Sequence, residues 1–276
     1  MREQSPFTVR FWGVRGSIAC PGPRTARYGG NTSSLEVRCG DEVLLFDAGT
    51  GIRYLGRALE GRRLDADVYF THTHFDHVCG LPFFRPLFEP QNRFRLWAGH
   101  LRGAMTLKRV LAEFMVSPLF PVPPEVFRSN LEYRDFSAGE TLATPKGVQV
   151  RTSVLNHPDG ATGYRVDYDG RSLCLVYDTE HVPGSLDRNV LALIEGAELV
   201  IYDAMYTDDE YRRYVGWGHS TWQEGIRLCR EAGAKRMVVF HHDPDHDDEM
   251  LDGVAREVER ALPGSVVARE GLVLEP

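Results

Sequence analysis

The 276-residue sequence lacks three features that would each indicate a class of protein. It contains no apolar run long enough to cross a lipid bilayer, which argues against a membrane-spanning protein. Its five cysteines are scattered and form no Cys-x-x-Cys pair, so neither a disulfide framework nor a cysteine-bound zinc ion is indicated. It also has no excess of positive charge: the formal net charge is −7, whereas binding a long polyanion needs clustered lysine and arginine.

These absences narrow the partners and the location that we expect. We predict no membrane partner and no long nucleic acid as partner, whereas a small anionic substrate beside a metal ion is compatible with the charge. Met1–Ser5 are polar and do not resemble a signal peptide, so a cytoplasmic location is predicted. Apolar residues make up 42% of the chain and charged residues 26%, which are ordinary values for a globular protein.

A dense group of possible metal ligands is the most informative feature that is present. The run His72-Thr73-His74-Phe75-Asp76-His77 follows a short apolar strand. Imidazole and carboxylate ligands together suit zinc, manganese or iron better than calcium or magnesium. In an extended segment His72 and His74 point to the same side, which places both on one metal ion. If the chain turns after His74, Asp76 and His77 face a second ion; a histidine-rich surface loop is the alternative.

Functional side chains also follow several predicted strands directly. Carboxyl ends of strands that meet at one edge of a sheet can assemble a site from distant segments. Six such placements are difficult to explain by packing alone. They are Asp47 after Val43–Phe46, His72 after Asp67–Thr71, His157 after Val150–Leu155, Asp178 after Ser172–Tyr177, Asp203 after Leu199–Tyr202 and His241 after Met237–Phe240.

In their order along the chain, these residues resemble the metallo-β-lactamase superfamily, and within it the ribonuclease Z-like phosphodiesterase branch. The resemblance carries over Asp47, the run from His72 to His77, His157, Asp178 and His241. It implies an α+β (α/β) fold, the four-layer αββα sandwich, formed by a single domain over residues 1–276. It also implies two divalent metal ions, which we expect to be Zn²⁺, with Mn²⁺ or Fe²⁺ as alternatives.

The same resemblance implies a distribution of the ligands between the two ions. The first ion would be bound by His72, His74 and His157. The second would be bound by Asp76, His77 and His241, and Asp178 would bridge both.

A second matching pair narrows the branch. The segment Ile201–Met205 contains Asp203, where glutamate is usual in ribonuclease Z-like enzymes, and the run Gly218–Thr221 contains His219. By the resemblance, Asp203 supports the charged form of His219, which can protonate the departing alkoxide of a phosphodiester while a metal-bridging hydroxide attacks phosphorus. The alternative is that His219 caps a helix that begins near Ser220.

The sequence also departs from the known members of this branch. We find neither the basic, glycine-rich arm of tRNA-processing ribonuclease Z nor the cysteine-rich motif of relatives in carbon–phosphorus metabolism. We therefore expect a small phosphodiester, such as a cyclic nucleotide or a short nucleotide diester. Some aromatic residues could stack on a base, with packing in the core or the lid as the reading that we favour for most of them: Phe83, Phe84, Phe88, Phe120 and Trp217.

Two other functions use the same ligands. A lactone, thioester or other carboxyl-ester hydrolase needs the metal ions but less help with its leaving group. A non-catalytic metal-binding signalling module would retain the fold without the reaction. We also expect a lid or insertion over residues 81–130, and a homodimer is the oligomeric state that we consider.

Further residues have both a functional and a structural interpretation. Asp47 is expected to accept a hydrogen bond from a ligand imidazole, and His242 to point away from the metal. Arg15 with the Gly16–Ser17 and Gly30–Thr32 loops could bind phosphate or form tight turns. The acidic segment 243–249, which includes His246, reads as a helix cap, with a third metal site as the alternative. His181 could line the pocket, and His100 has no assigned partner.

Overall fold

The structure is a computed structural model that describes residues 6–101, 103 and 105–276. Our interpretation of Met1–Ser5 therefore lies outside the described residues. Within those residues, the strands form two sheets of seven strands each. The first sheet consists of β1 (Phe7–Gly13), β2 (Ser34–Cys39), β3 (Glu42–Phe46), β4 (Asp65–Phe70), β5 (Arg93–Ala98) and β6 (Asn130–Asp135), with β14 (Val273–Leu274) at the edge beside β1.

The second sheet is built from the second half of the chain. The order of its seven strands in space is the reverse of their order in the chain. Its strands are β7 (Thr141–Ala143), β8 (Gln149–Leu155), β9 (Ala161–Tyr168), β10 (Arg171–Val176), β11 (Leu199–Asp203), β12 (Met237–Phe240) and β13 (Val266–Val267). The helices are α1 (Ile52–Ala58), α2 (Phe75–Val78), α3 (Leu107–Phe114), α4 (Arg188–Ile194), α5 (Asp208–Tyr211), α6 (Trp222–Glu231) and α7 (Asp248–Ala261).

Alternating side chains of the buried strands separate the layers. In β4, Tyr69 belongs to the core between the two sheets, whereas Val68 and Phe70 pack toward α1 and α3. In β11, Ile201 points into the core between the sheets, and Val200 packs toward α4, α6 and α7. Strands covered on both faces have near-continuous apolar sequences, which is why these segments were recognisable. The predicted four-layer αββα sandwich is confirmed.

Strand direction brings the functional side chains to one edge. β3 and β4 are parallel neighbours in the first sheet, and β10, β11 and β12 are parallel neighbours in the second. β8 pairs antiparallel with β9, which pairs antiparallel with β10, so β8 runs in the same direction as β10. The ends of all these strands therefore meet at the same edge of the sandwich.

The segment 81–130, for which we predicted a lid or insertion, contributes β5 to the first sheet. This strand lies between β4 and β6, and its residues Phe94 and Leu96 are fully buried. That part of the segment is therefore core, and the role of its other residues as a lid stays a prediction. Among the described helices, none combines the length and the apolar character needed to cross a membrane.

Candidate metal centre

The strand ends bring all seven predicted metal ligands together. The first set is His72, His74 and His157, whose candidate ligand atoms lie within 4.8 Å of one another. Nδ1 of His74 is 3.1 Å from Nε2 of His157, although the two residues are 83 positions apart. One ion bound here would take ligands from the loop after β4 and from the loop after β8.

The second set lies beside the first and is buried. Asp76, His77 and His241 again place their candidate ligand atoms within 4.8 Å of one another. Nε2 of His77 is 3.1 Å from Oδ2 of Asp76 and 3.3 Å from Nε2 of His241. The chain turns after His74 into α2, and this turn separates the second set from the first, as the sequence predicted.

Asp178 lies between the two sets and faces both. Its Oδ1 atom is 3.8 Å from Nε2 of His72 and 3.8 Å from Nε2 of His157. Its Oδ2 atom is 3.3 Å from Nε2 of His77 and 3.3 Å from Nε2 of His241. One carboxylate with one oxygen toward each set has the geometry that a bridging ligand needs.

Hydrogen bonds from the surrounding chain fix the orientation of the ligands. Nδ1 of His77 donates to Asp47 at 2.8 Å, and Nδ1 of His157 donates to the carbonyl of Gly218 at 2.8 Å. Each bond leaves Nε2 of that ring free to bind a metal ion. The predicted position of Asp47 behind a ligand imidazole is thus observed. The backbone N–H of Ser17 donates to Oδ2 of Asp76 at 2.8 Å, a contact that the sequence did not reveal.

The electrostatics of the buried cluster favour a cation at its centre. Burial lowers the pKa of His72 well below its usual value, so its ring stays neutral as a ligand must be. Burial would raise the pKa of Asp178, but His241 and His77 outweigh it and lower that pKa, so the carboxylate stays charged. The atoms Nε2 of His72 and Oδ2 of Asp178 are buried without a hydrogen-bond partner. Unpaired buried polar atoms are costly, and a divalent metal ion would satisfy both.

Asp203 and His219 form a pair beside these ligands. Nδ1 of His219 donates to Oδ2 of Asp203 at 3.0 Å, and the ring of His219 stacks on His241 with centroids 5.1 Å apart. Burial alone would lower the pKa of His219, but the Asp203 carboxylate outweighs it and raises the pKa to about 9. The alternative, that His219 caps a helix, is not observed, because Thr221 is the residue that caps α6.

Glu180 is a further residue of this region that sequence analysis missed. Its carboxylate accepts backbone N–H groups of Gly216 at 2.6 Å and of Gly218 at 2.7 Å, and the hydroxyl of Tyr211 at 3.0 Å. It therefore fixes the loop that carries His219 and the carbonyl to which His157 donates. Its position two residues after Asp178 could have indicated a place near the site. The sequence around it does not indicate that its partner is Gly216, 36 residues further along the chain.

Arg15 and the acidic segment prove to be structural. The guanidinium of Arg15 donates to the carbonyls of Gly29 at 2.8 Å, Asp243 at 2.9 Å and His246 at 2.6 Å, so it joins loops rather than facing a ligand. Asp247 caps α7 by accepting the N–H of Met250, as the helix-cap interpretation predicted.

The remaining histidines contact groups outside the cluster or at its margin. Nε2 of His242 donates to the carbonyl of Ala268 at 2.8 Å, so the ring points away from the centre as expected. His246 pairs with Glu210 at 3.0 Å. The partners of His100 and His181 are, respectively, the Thr73 hydroxyl at 3.0 Å and the Ser220 hydroxyl at 2.8 Å.

The candidate aromatic residues divide into three groups. Phe84 is fully buried in the core, and Phe88 packs edge-on against Phe127 away from the cluster. Trp217 is 63% exposed in the loop that carries His219. Phe83 is 53% exposed and contacts Phe120, on the side of the cluster where Asp76 lies.

Comparison with known proteins agrees with this architecture. Residues 43–242, more than half of the chain, match the family described as "Beta-lactamase superfamily domain". The chain belongs to the beta-lactamase superfamily. The match to this superfamily spans the run from His72 to His77 and also includes His157, Asp178 and His241.

Within this superfamily, the chain is similar to several individual proteins. It is 28% identical to the ribonuclease Z of Myxococcus xanthus, over 89% of this chain and 92% of that protein. Its fold is similar to a diphosphatase from the PhnP family, with a TM-score of 0.72, 20% identity and coverage of 97% and 96% of the two chains. It is also similar to the short form of human tRNase Z, with a TM-score of 0.68, 20% identity and coverage of 97% and 98%.

These findings decide several predictions about this beta-lactamase superfamily member. The ribonuclease Z-like branch and the class of enzyme, a metal-dependent hydrolase, are confirmed. Use of divalent metal ions is supported by the family and by the histidine–aspartate sets, while the number and identity of the ions stay predictions. The name of the Myxococcus relative conflicts in part with our prediction that no long nucleic acid is bound. The predicted homodimer and cytoplasmic location stay predictions.

Proposed function

We propose that the protein hydrolyses small phosphodiesters, namely cyclic nucleotides or short nucleotide diesters, with His219 as general acid. The observation that carries the proposal is the 3.0 Å hydrogen bond between His219 and Asp203 beside the metal-ligand cluster. Phosphodiester cleavage releases a poor alkoxide leaving group, which needs a proton as the bond to phosphorus breaks. Hydrolysis of an activated carboxyl ester needs this assistance less.

The metal ions would be held by the two sets and by the carboxylate between them. We assign His72, His74 and His157 to one ion, Asp76, His77 and His241 to the other, and Asp178 to both. When bound, such ions lower the pKa of water to near neutrality and stabilise negative charge on a phosphoryl group. Only two of the seven ligands are anionic, so the loaded centre keeps a positive charge that attracts an anionic diester.

The surroundings of His219 allow it to hold a proton and to donate it to the substrate. Its Nδ1 atom is committed to Asp203, and Nε2 has no hydrogen bond to any described residue. The raised pKa keeps the ring protonated at neutral pH, and Nε2–H is then the group that can donate to a departing oxygen. Asp203 is itself held in place, because its carboxylate also accepts the N–H groups of Thr179 and Met205.

The relatives and the charge of the chain bear on the size of the substrate. Ribonuclease Z relatives support phosphodiester chemistry, and the fold is shared with a diphosphatase from the PhnP family. The net charge of −7 and the lack of a basic, glycine-rich arm favour a small substrate over a long RNA. We therefore propose a small phosphodiester as substrate, together with the site residues and the two ions named above.

A panel of substrates tests the proposed reaction. Protein loaded with Zn²⁺ or Mn²⁺ would be assayed with bis-aryl phosphate, 2′,3′- and 3′,5′-cyclic nucleotides, linear dinucleotides and a precursor tRNA. A lactone and a thioester would be the carboxyl controls. We expect turnover of the cyclic or short diesters and its loss in His74→Ala. Turnover of the precursor tRNA alone would contradict the small substrate, and turnover of the lactone or thioester alone would contradict phosphodiester chemistry.

Replacement of the general acid gives the sharpest prediction. In His219→Ala, hydrolysis of an alkyl phosphodiester should fall by about 100-fold or more, because its leaving group needs the proton. Hydrolysis of an activated aryl diester should fall by less than about tenfold, since a nitrophenolate leaves without protonation. The measurement is kcat/KM for both substrates, with metal content determined for each protein.

A second histidine variant controls for unspecific damage. His246 lies outside the cluster and contacts Glu210, so His246→Ala should lose little activity and show no dependence on the leaving group. Equal losses on the alkyl and aryl diesters in His219→Ala would contradict the general-acid role.

A further inference from the structure

A pocket of about 420 Å³ opens beside the metal centre on the side of Asp76. It lies between the loop after β1 and helix α2. Its walls include Ile18, Phe75 and Phe83, which are 59%, 63% and 53% exposed. Large apolar side chains exposed singly are ordinary, but three around one concave surface that reaches a candidate metal ligand are typical of a ligand site.

The polar groups of this pocket are mostly occupied by one another. Thr32 and Thr50 exchange two hydrogen bonds, each hydroxyl accepting the backbone N–H of the other at 2.9 and 2.8 Å. The N–H of Ser17 is bonded to Asp76. What these residues leave open to a ligand is chiefly apolar surface.

Two of the walls are aromatic rings supported from behind. Phe75 contacts Phe114 edge-on with ring centroids 6.3 Å apart, and Phe83 contacts Phe120 edge-on at 6.0 Å. Phe114 and Phe120 stack on each other at 6.4 Å, so the four rings form one cluster. Edge-on support at the back leaves the exposed surface of Phe75 and Phe83 available, and it restricts the freedom that the rings would lose on binding.

One cation lies on the wall of the pocket. Arg53 is exposed, its guanidinium lies 5.4 Å from the ring of Tyr54, and it makes no ion pair with any described residue. A guanidinium in this position can donate to acceptor atoms of a bound heterocycle or stack on its face.

We propose that this pocket binds the nucleobase of the substrate, with Phe75 and Phe83 as stacking surfaces and Arg53 beside them. The proposal rests on the proposed function, since it takes the substrate to be a nucleotide phosphodiester. Phe75 stands between the candidate ligands His74 and Asp76, so a base held there would lie beside the candidate metal centre, with the ribose between it and the phosphate. Stacking on aromatic rings is tolerant of base identity, so little discrimination among bases is expected.

Binding of two products separates the base from the sugar phosphate. Isothermal titration of the metal-loaded protein with adenosine 5′-monophosphate and with ribose 5-phosphate compares ligands that differ by the base. We expect the adenosine nucleotide to bind about tenfold or more tightly, which is the size of one stacking contact. The preference should fall several-fold in Phe83→Ala and should vanish in the double variant with Phe75→Ala.

Matched variants isolate the aromatic surface. Phe83→Leu keeps apolar volume but removes the ring and should lose most of the preference. Phe88→Ala removes an exposed phenylalanine that packs on Phe127 outside the pocket, and should keep the preference in full. Metal content is measured for every variant, because Phe75 lies between two candidate ligands.

The outcomes of this titration are separable from those of the hydrolysis assays. Equal binding of the two ligands by the wild type, or no binding of either, overturns the base site even if phosphodiesters are hydrolysed. An unchanged preference in the double variant also overturns it. Octyl phosphate binding as tightly as the nucleotide would identify an unspecific apolar pocket instead. If no diester is hydrolysed but the preference for the nucleotide is lost in Phe83→Ala, the proposed reaction fails and the base site stands.

Discussion

At the scale of single residues, three members of the centre have an unusual backbone conformation. Asp47, Asp178 and His241 have φ angles of 58°, 60° and 60°. Asp47 and His241 directly follow β3 and β12, and Asp178 lies two residues after the end of β10. Residues other than glycine rarely adopt the left-handed region, at a cost of order 1–3 kcal/mol each. Here the conformation ends the strand and points the side chain across the sheet edge. The strained residues are therefore those whose side chains must point into the candidate site.

The pairing of Asp203 with His219 predicts a change in pH dependence. In the proposed reaction His219 donates its proton, so the rate should fall as the pH rises through its pKa. Because the Asp203 carboxylate raises that pKa, Asp203→Asn should lower it, and the alkaline limb of kcat/KM should move to lower pH by about one unit or more. The measurement is a pH–rate profile with an alkyl phosphodiester.

A conservative variant distinguishes charge from packing in this pair. Asp203→Glu keeps the charge, so its alkaline limb should stay near that of the wild type even if the longer side chain lowers the rate in this fully buried position. Identical alkaline limbs in the wild type and in Asp203→Asn would contradict the role of the carboxylate.

The sequence predicted the grouping of the candidate ligands better than the contacts that support them. Histidine and aspartate can be recognised as possible metal ligands from residue type alone. Their positions at strand ends are visible in the apolar pattern of the sequence. Ser17 contributes only a backbone N–H, which every residue except proline has, and Glu180 acts on a loop 36 residues away. Phe75 stood inside the recognised run, but the exposure of its ring is a tertiary property.

At the scale of elements, the loop 214–219 shows how one carboxylate can organise a site. Gly218 has a φ of 87°, and a Cβ atom there would lie 2.4 Å from Nδ1 of His157, so only glycine fits. The carbonyl of Gly218 orients His157, and the next residue is His219. Since Glu180 holds the N–H of Gly218, it positions a candidate ligand and the proposed general acid together.

Weakening this contact should therefore affect two properties at once. Glu180→Gln replaces one acceptor oxygen by a donor that faces a backbone N–H. We expect the affinity for metal to fall about tenfold or more, as for other contacts that orient a ligand, together with kcat for an alkyl diester. Competition with a chromogenic chelator measures the first effect and steady-state kinetics the second.

The control for this variant is Tyr211→Phe. It removes the hydroxyl that contacts Glu180 at 3.0 Å and the carbonyl of His181 at 2.7 Å, but it leaves both bonds from Glu180 to the loop, so metal affinity and kcat should stay near those of the wild type. Wild-type metal affinity in Glu180→Gln would show that the loop is fixed by other contacts.

The elements themselves were predictable where burial left a pattern. The apolar runs that predicted β3, β11 and β12 agree with the observed strands to within one residue. The two-residue strands β13 and β14 carry no such pattern, because they form only where β12 and β1 offer an edge. β5 was included in a predicted lid since the proline-rich and aromatic residues around it resemble an irregular segment.

At the scale of the whole molecule, the candidate metal centre draws its residues from both sheets. His72, His74, Asp76 and His77 come from the loop after a strand of the first sheet. His157, Asp178 and His241 come from three loops of the second sheet. Each proposed ion would take ligands from both halves of the sandwich. Bound metal should therefore act as a cross-link that the unfolded chain cannot retain.

This arrangement predicts that removal of metal lowers the thermal stability of the entire fold. A ligand present at 1,000 times its Kd stabilises the native state by about 4 kcal/mol. For a protein of this size each kcal/mol shifts Tm by about 2–4 °C, so chelation should lower Tm by about 10 °C. Calorimetry of metal-loaded and chelator-treated protein at one pH measures the shift. Asp178→Ala, which lacks the bridging carboxylate, should lose most of the difference between the two treatments. An equal shift in Asp178→Ala would place the stabilising metal elsewhere, and an unchanged Tm in the wild type would contradict the cross-link.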